Sequence, residues 1–171
     1  WRCQVEIKVE IKDEVVKSML ERIISRTRNA TPVMNEIGAI VRRSIIRNFQ
    51  EGGRPTRWKP LAVATILKSI RRSDFTKKGK LTAQASKRLQ GGVPLTDTGT
   101  LRNSISYKAY PDKVTIGPKA SIPYAAIHQL GGQAGRGHKV TIPARPYLMV
   151  QDEDWLEIRK AMIKYITEGA L

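Results

Sequence analysis

One cysteine, Cys3, stands in 171 residues. A disulfide within the chain is therefore excluded, and a cysteine-built zinc site is not expected, which fits a reducing compartment. No apolar run approaches the roughly 20 residues that a membrane-crossing helix needs, so no membrane partner is expected. A secretory signal is not expected either, because the first dozen residues are charged and alternating rather than continuously apolar. Acids are scarce: 15 Asp and Glu oppose 31 Lys and Arg, a net charge of +16. Such an excess works against compactness by self-repulsion and suggests a polyanionic neighbour, either nucleic acid or an acidic protein surface. No Walker loop, nucleophile elbow or H-E-x-x-H helix is found. The glycine-rich run from Gly131 to Gly137 lacks the Lys-Ser/Thr of a phosphate-binding loop and reads as a flexible hairpin-like loop.

What is present suits one domain spanning residues 1–171, since 40 % of the chain is hydrophobic, enough to build a core. Val5, Ile7, Val9 and Ile11 alternate with charged residues over 4–12, the period of a half-buried strand. Asp13 can cap a helix whose stripe is Val16, Met19, Leu20, Ile23 and Ile24. Thr31-Pro32 opens a second helix, Val33, Ile37, Ile40, Val41, Ile45 and Phe49 carry its stripe, and Gly52-Gly53 end it. A short helical stretch begins near Leu61. Ile105, Tyr107 and Ala109, then Pro111-Asp112, then Val114 and Ile116 predict a hairpin. Ser121–Leu130 predicts a short helix, Val140 and Ile142 a strand, and Asp152 a cap for a last helix with Trp155, Ile158, Met162 and Ile166 on one face, ended by Gly169. The expected fold is α+β: an antiparallel sheet of about four strands packed against two or three helices, with a long basic loop.

That loop is residues 68–90. Lys68, Arg71, Arg72, Lys77, Lys78, Lys80, Lys87 and Arg88 face a single acid, Asp74, so seven of the sixteen net charges lie here. Apolar residues are sparse and no period is sustained, which predicts a mobile insertion, with a helical piece around 82–89. Lysines and arginines without interleaved aromatics suit phosphate contact without base reading, so double-stranded DNA would be held independently of sequence. The competing reading is a solvated loop that orders on an acidic protein.

Two constellations could carry chemistry. Asp97-Thr98-Gly99 matches the tripeptide of aspartic proteases, which need two aspartates sharing a proton. The lead-in Leu95-Thr96 and the following Thr100 depart from that pattern, and a glycine turn into the hairpin is the preferred reading. His128 and His138 lie ten residues apart across a glycine loop, poor spacing for a metal pair. His128 shares a helix face with Tyr124 and reads as a hydrogen-bonded structural histidine. No catalytic, cofactor-binding or metal-binding residue is expected.

Three clusters are more specific when taken together: Phe49–Leu61 with its Gly52-Gly53-Arg54-Pro55-Thr56-Arg57-Trp58-Lys59-Pro60 core, Leu95–Ile105, and Tyr124–Gly132 followed by Pro143-Ala144-Arg145-Pro146-Tyr147-Leu148. Their order and spacing across nearly the whole chain resemble the phage virion morphogenesis family, the tail-completion proteins of contractile-tailed phages and prophages. The resemblance implies a non-catalytic, cofactor-free virion protein, present in the host cytoplasm during assembly. It also implies a ring-forming homo-oligomer, hexameric by analogy with the sixfold tail, that contacts other tail, neck or connector proteins. A nonspecific nucleic-acid-binding protein outside the virion is the alternative. On physical grounds Trp58 covers the edge of the core. Arg145, bracketed by Pro143 and Pro146 in a stiff extended arm, suits a carboxylate pair or a neighbouring subunit. Trp58, His128 and Arg145 are thus the candidate interface or structural residues.

Overall fold

The structure, a computed structural model, describes residues 13–68, 70, 72–89 and 92–169, without the side chains at 64, 67, 68, 72, 84, 87, 88 and 138. The strand expected over 4–12 lies outside the described residues. Helix α1 is Glu14–Arg28, and its N-cap is the expected Asp13, whose carboxylate accepts from the backbone N–H groups of Val15 and Val16 at 2.9 and 3.3 Å. Its apolar stripe is not buried: no residue of α1 is.

Helix α2, Thr31–Glu51, is the centre of the fold. The whole predicted stripe, Val33 through Phe49, is buried, and Gly52 ends the helix in the left-handed conformation with its N–H on Asn48 O. Thr31 is not the cap. Ala30 occupies that position, and the Thr31 hydroxyl instead bonds Asn29 Oδ1 at 2.7 Å. After α2 come α3 (Val63–Lys68), α4 (Ala83–Leu89) and the single turn α5 (Thr100–Asn103).

Strands β1 (Ile105–Ala109) and β2 (Val114–Pro118) form the predicted hairpin, antiparallel with Tyr107 opposite Ile116. The hairpin lies across α2, where Gly38 is buried under the Tyr107 ring; a Cβ at residue 38 would clash with Tyr107 Cδ2. Helix α6 (Ala125–Leu130) follows, then β3 (Gly132–Ala134) and β4 (Val140–Ile142), a second antiparallel pair. A single sheet of about four strands is thus corrected, among the described residues, to two separate hairpins. The stretch read as a loose glycine loop supplies β3, because Gly131 and Gly132 at φ 75° and 146° let the backbone turn directly off α6 into a ladder.

Helix α7, Asp152–Glu168, packs on α2 and ends at the predicted Gly169. Its cap is Gln151, not Asp152: Gln151 and Asp154 form a reciprocal capping box that consumes the buried Asp154 carboxylate. The face turned inward is Ile158, Ala161 and Tyr165, rotated from the predicted one, so Trp155 and Met162 are exposed.

The 68–90 segment also departs from a bare loop. A 3-10 turn spans Arg72–Asp74, Phe75 and Leu81 form an antiparallel bridge, and α4 matches the helical piece expected around 82–89. Ala85 is 2 % exposed, so one side of α4 is anchored.

Candidate functional site: three motifs around one cavity

The first motif begins where α2 ends. Ser44 and Asn48, four residues apart, are polar positions inside an apolar stripe, and both are buried. Their partner is Arg54, carried back over the helix by the turn at Gly52-Gly53. Its Nε donates to Asn48 Oδ1 at 2.9 Å, its Nη2 to Ser44 O and Oγ at 2.9 and 2.7 Å, and its Nη1 to Glu153 Oε1 of α7 at 2.7 Å. Asn48 Nδ2 in turn donates to Tyr147 O at 3.1 Å, and Gln151 Nε2 to Arg54 O at 3.2 Å. One arginine therefore ties α2, the 147–151 segment and α7 together. Sequence reasoning passed over it, although polar residues at i and i+4 on a buried face signal an internal partner.

The third motif meets the first through aromatic rings. Phe49 packs edge-on to Trp58 at 5.7 Å and against Tyr147 at 5.3 Å between centroids. Trp58, buried as expected, donates its indole N–H to Pro146 O at 3.1 Å. Arg145 is 5 % exposed. In place of the expected carboxylate it finds backbone carbonyls: Nε donates to Lys59 O at 3.1 Å and Nη2 to Pro60 O at 3.3 Å. Burial lowers its pKa from the ordinary arginine value.

Gln129, also missed, holds the arm 143–148 against α6. Its Oε1 accepts from the N–H groups of Tyr147 and Leu148, both at 2.9 Å, and its Nε2 donates to Leu148 O at 3.3 Å. A side-chain amide thus substitutes for a strand neighbour. The arm reaches this close because Gly131 has no Cβ: one built there would lie 2.7 Å from Ala144 N. Replacing Gln129 with Ala leaves two backbone N–H groups without their acceptor. The expected loss is about 2–4 kcal/mol, read as a lower urea midpoint with an unchanged m-value.

The second motif closes a cavity of about 340 Å³ against the other two, lined among others by Leu61, Leu95, Asp97, His128 and Arg145. Leu95 holds a left-handed φ of 65°, a strained choice for a leucine. Asp97 is exposed at the rim. Gly99, left-handed at φ 71°, leads into α5, and Thr98 and Thr100 share a hydroxyl bond of 2.8 Å. Asp97-Thr98-Gly99 is therefore the glycine turn expected, although it enters a helical turn before the hairpin.

His128 stacks edge-on to Tyr124 at 5.7 Å, as their shared face predicts. Its Nδ1 is buried without a hydrogen-bond partner, so that ring nitrogen does not make the hydrogen bond expected of the residue. The fold brings it to one cavity wall with Asp97 and Arg145, which sequence distance concealed. Burial first, and Arg145 second, lower its pKa from 6.5. With the folded pKa below the unfolded one, the unfolded chain takes up the proton first. Stability is therefore fully kept above about pH 6.5 and declines as pH falls from there through the folded value. His128→Gln removes this term, so its urea midpoint should change less than that of the wild type between about pH 7 and pH 5. The variant should still fold and assemble; loss of assembly at an unchanged melting curve would assign His128 to partner recognition or chemistry. Among the described residues no group of three His, Cys, Asp or Glu side chains could hold a metal ion.

The basic residues occupy a different place. Lys77, Lys78 and Lys80 are exposed on a tight turn closed by the Phe75–Leu81 bridge, with Thr76 N–H on Lys80 O at 2.7 Å and Gly79 N–H on Thr76 O at 2.8 Å. Arg71 and the side chains of Lys68, Arg72, Lys87 and Arg88 lie outside the described residues.

Comparison with known proteins agrees with this convergence of motifs. The model of the phage virion morphogenesis family matches residues 11–167. The Mu-like prophage FluMu G protein 2 of Haemophilus influenzae is 33 % identical over 161 residues, which cover 94 % of this chain and 95 % of that protein. No solved structure matches. The chain belongs to the phage virion morphogenesis family, and its role lies in the structure or assembly of phage particles.

Proposed function

We propose that the protein is a non-catalytic virion subunit that completes the tail or joins it to the head, acting in a homo-oligomeric ring. One observation carries this reading. Three polar side chains of the family-like motifs, Trp58, Gln129 and Arg145, are spent on the protein's own backbone. Groups engaged in this way hold a shape and leave little for a substrate. A rigid body with a lysine-tipped turn suits a subunit that meets other proteins, and DNA without reading its sequence.

The test is electron microscopy of particles made without this protein, beside particles complemented with it. The expected result is an accumulation of unjoined heads and tails, or of tails of aberrant length, reversed by complementation. Normal, infectious particles in its absence would remove the structural reading. The second reading, a nucleic-acid-binding protein outside the virion, draws on the exposed Lys77, Lys78 and Lys80. It would prevail if purified virions lacked the protein while the free monomer shifted DNA at low salt.

A further inference from the structure

Three departures from ordinary packing meet at the cavity of about 340 Å³. Arg145 is the first. Its guanidinium is buried, yet its Nε and Nη2 bond the neutral carbonyls of Lys59 and Pro60, and no carboxylate among the described residues pairs with it. A buried positive charge held by neutral groups alone is costly unless an anion joins it. His128 is the second. Its Nδ1 is the one buried side-chain polar atom, among the described residues, without a hydrogen-bond partner. An orphaned lone pair costs less than an orphaned N–H, so the neutral ring carries its proton on Nε2 and can donate there. Leu95 is the third, the one residue other than glycine at positive φ among the described residues. Strain of this kind gathers at binding sites, where the surrounding structure holds it in place. The Arg145 N–H also donates to His128 O at 2.8 Å, which keeps these two wall residues side by side.

We propose that this cavity is a binding site for an aliphatic carboxylate. The anion lies against Arg145, whose Nη1 is left over from the two carbonyl bonds, and accepts from His128 Nε2. The hydrocarbon part lies against Leu61, Ile66, Val93 and Leu95, which line the same cavity. A charge-assisted bond made in such a wall, away from bulk water, is stronger than one made at the surface. Asp97 also lines the cavity, but it is exposed at the rim, where water screens its charge far more than it screens a charge in the wall. The volume stands near the lower end of the range for small-molecule pockets, about 300–1,000 Å³, and suits a single residue or a small acid. Two sources carry this chemistry: a protein chain that ends in Leu, Ile or Val, and a free branched acid. The site holds whether or not the chain forms a ring, because its binding is read on the isolated protein.

Titration of the purified chain with N-acetyl-leucine, followed by NMR, tests the site. The protein is isotopically labelled at its histidines, His128 and His138, and their ring signals are assigned with His128→Gln. The His128 signal should shift and saturate with a Kd of about 1–10 mM, as a ligand of this size allows, while the His138 signal stays in place. N-acetyl-leucinamide, the same molecule without the charge, should bind at least about tenfold more weakly. Thr65→Trp fills the cavity from an exposed wall position, so it should keep the melting curve and lose the shift. Arg145→Gln, once its melting curve shows it folded, should bind acid and amide alike. Isocaproate, which has the aliphatic chain and the charge but no peptide amide, separates the sources. Equal affinity for isocaproate and N-acetyl-leucine upholds the site as one for a free acid, and weaker binding of isocaproate upholds it as one for a chain end. A His128 signal unmoved at about 100 mM N-acetyl-leucine would overturn the proposal. So would equal affinity of the wild type for acid and amide, or a shift that survives in Thr65→Trp.

Discussion

Ile45→Asp should leave no folded protein at neutral pH. Ile45 is 1 % exposed on α2 and belongs to the cluster that includes Phe49, Ile105 and Tyr147. A carboxylate placed there has no partner and no water, so the chain must either bury a charge or take up a proton against a raised pKa. Either costs several kcal/mol, on top of the packing lost with the isoleucine, against a total stability of about 5–15 kcal/mol for an ordinary domain. Far-UV circular dichroism and a urea titration check this, and a cooperative transition near the wild-type midpoint would contradict it. Met19→Asp provides the contrast. It sits in an equally regular apolar stripe, yet the side chain is exposed on α1, so the isolated subunit should change by no more than about 0.5 kcal/mol.

Neutralising the basic segment should leave folding alone and impair the particle. With Arg71, Arg72, Lys77, Lys78 and Lys80 replaced by Gln, the free protein should keep its melting temperature, because the described members, Lys77, Lys78 and Lys80, are exposed on their turn. The segment holds seven net positive charges, so six copies would bring about 42 to one ring, a field that reaches about 8–10 Å at physiological salt. If that ring surrounds DNA, binding rests on counterion release and falls steeply as salt rises. Virion yield with DNA retention should therefore drop in the variant, and its residual DNA binding should show a shallower dependence on salt. Normal yield and retention would return these residues to a solvated surface. Limited proteolysis of the wild type tests the expected mobility of 68–90: early cleavage there is the expected result, and a protected segment would contradict it. The bridge at Phe75–Leu81 and the anchored Ala85 limit where cleavage should begin, favouring the 76–80 turn.

The sequence by itself determined the elements whose signals are local. The α2 stripe, the Asp13 cap, the glycine stops at Gly52 and Gly169 and the 105–118 hairpin depend on spacing within one segment, and all are where periodicity put them. The three motifs were also legible, because their residues and order suffice to identify the family. Only the tertiary structure decided what those residues do. Arg54, Asn48 and Gln129 bond groups far along the chain or on another element, and Arg145 finds two carbonyls 85 and 86 residues away instead of a carboxylate. The same holds for exposure. The stripes of α1 and α2 look alike in sequence, but one is buried and the other is not, and α7 turns Ile158 and Tyr165 inward while leaving Trp155 out. Periodicity fixes which side of a helix is apolar, whereas burial depends on what packs against that side, and a backbone carbonyl offers a hydrogen-bond acceptor whatever residue carries it.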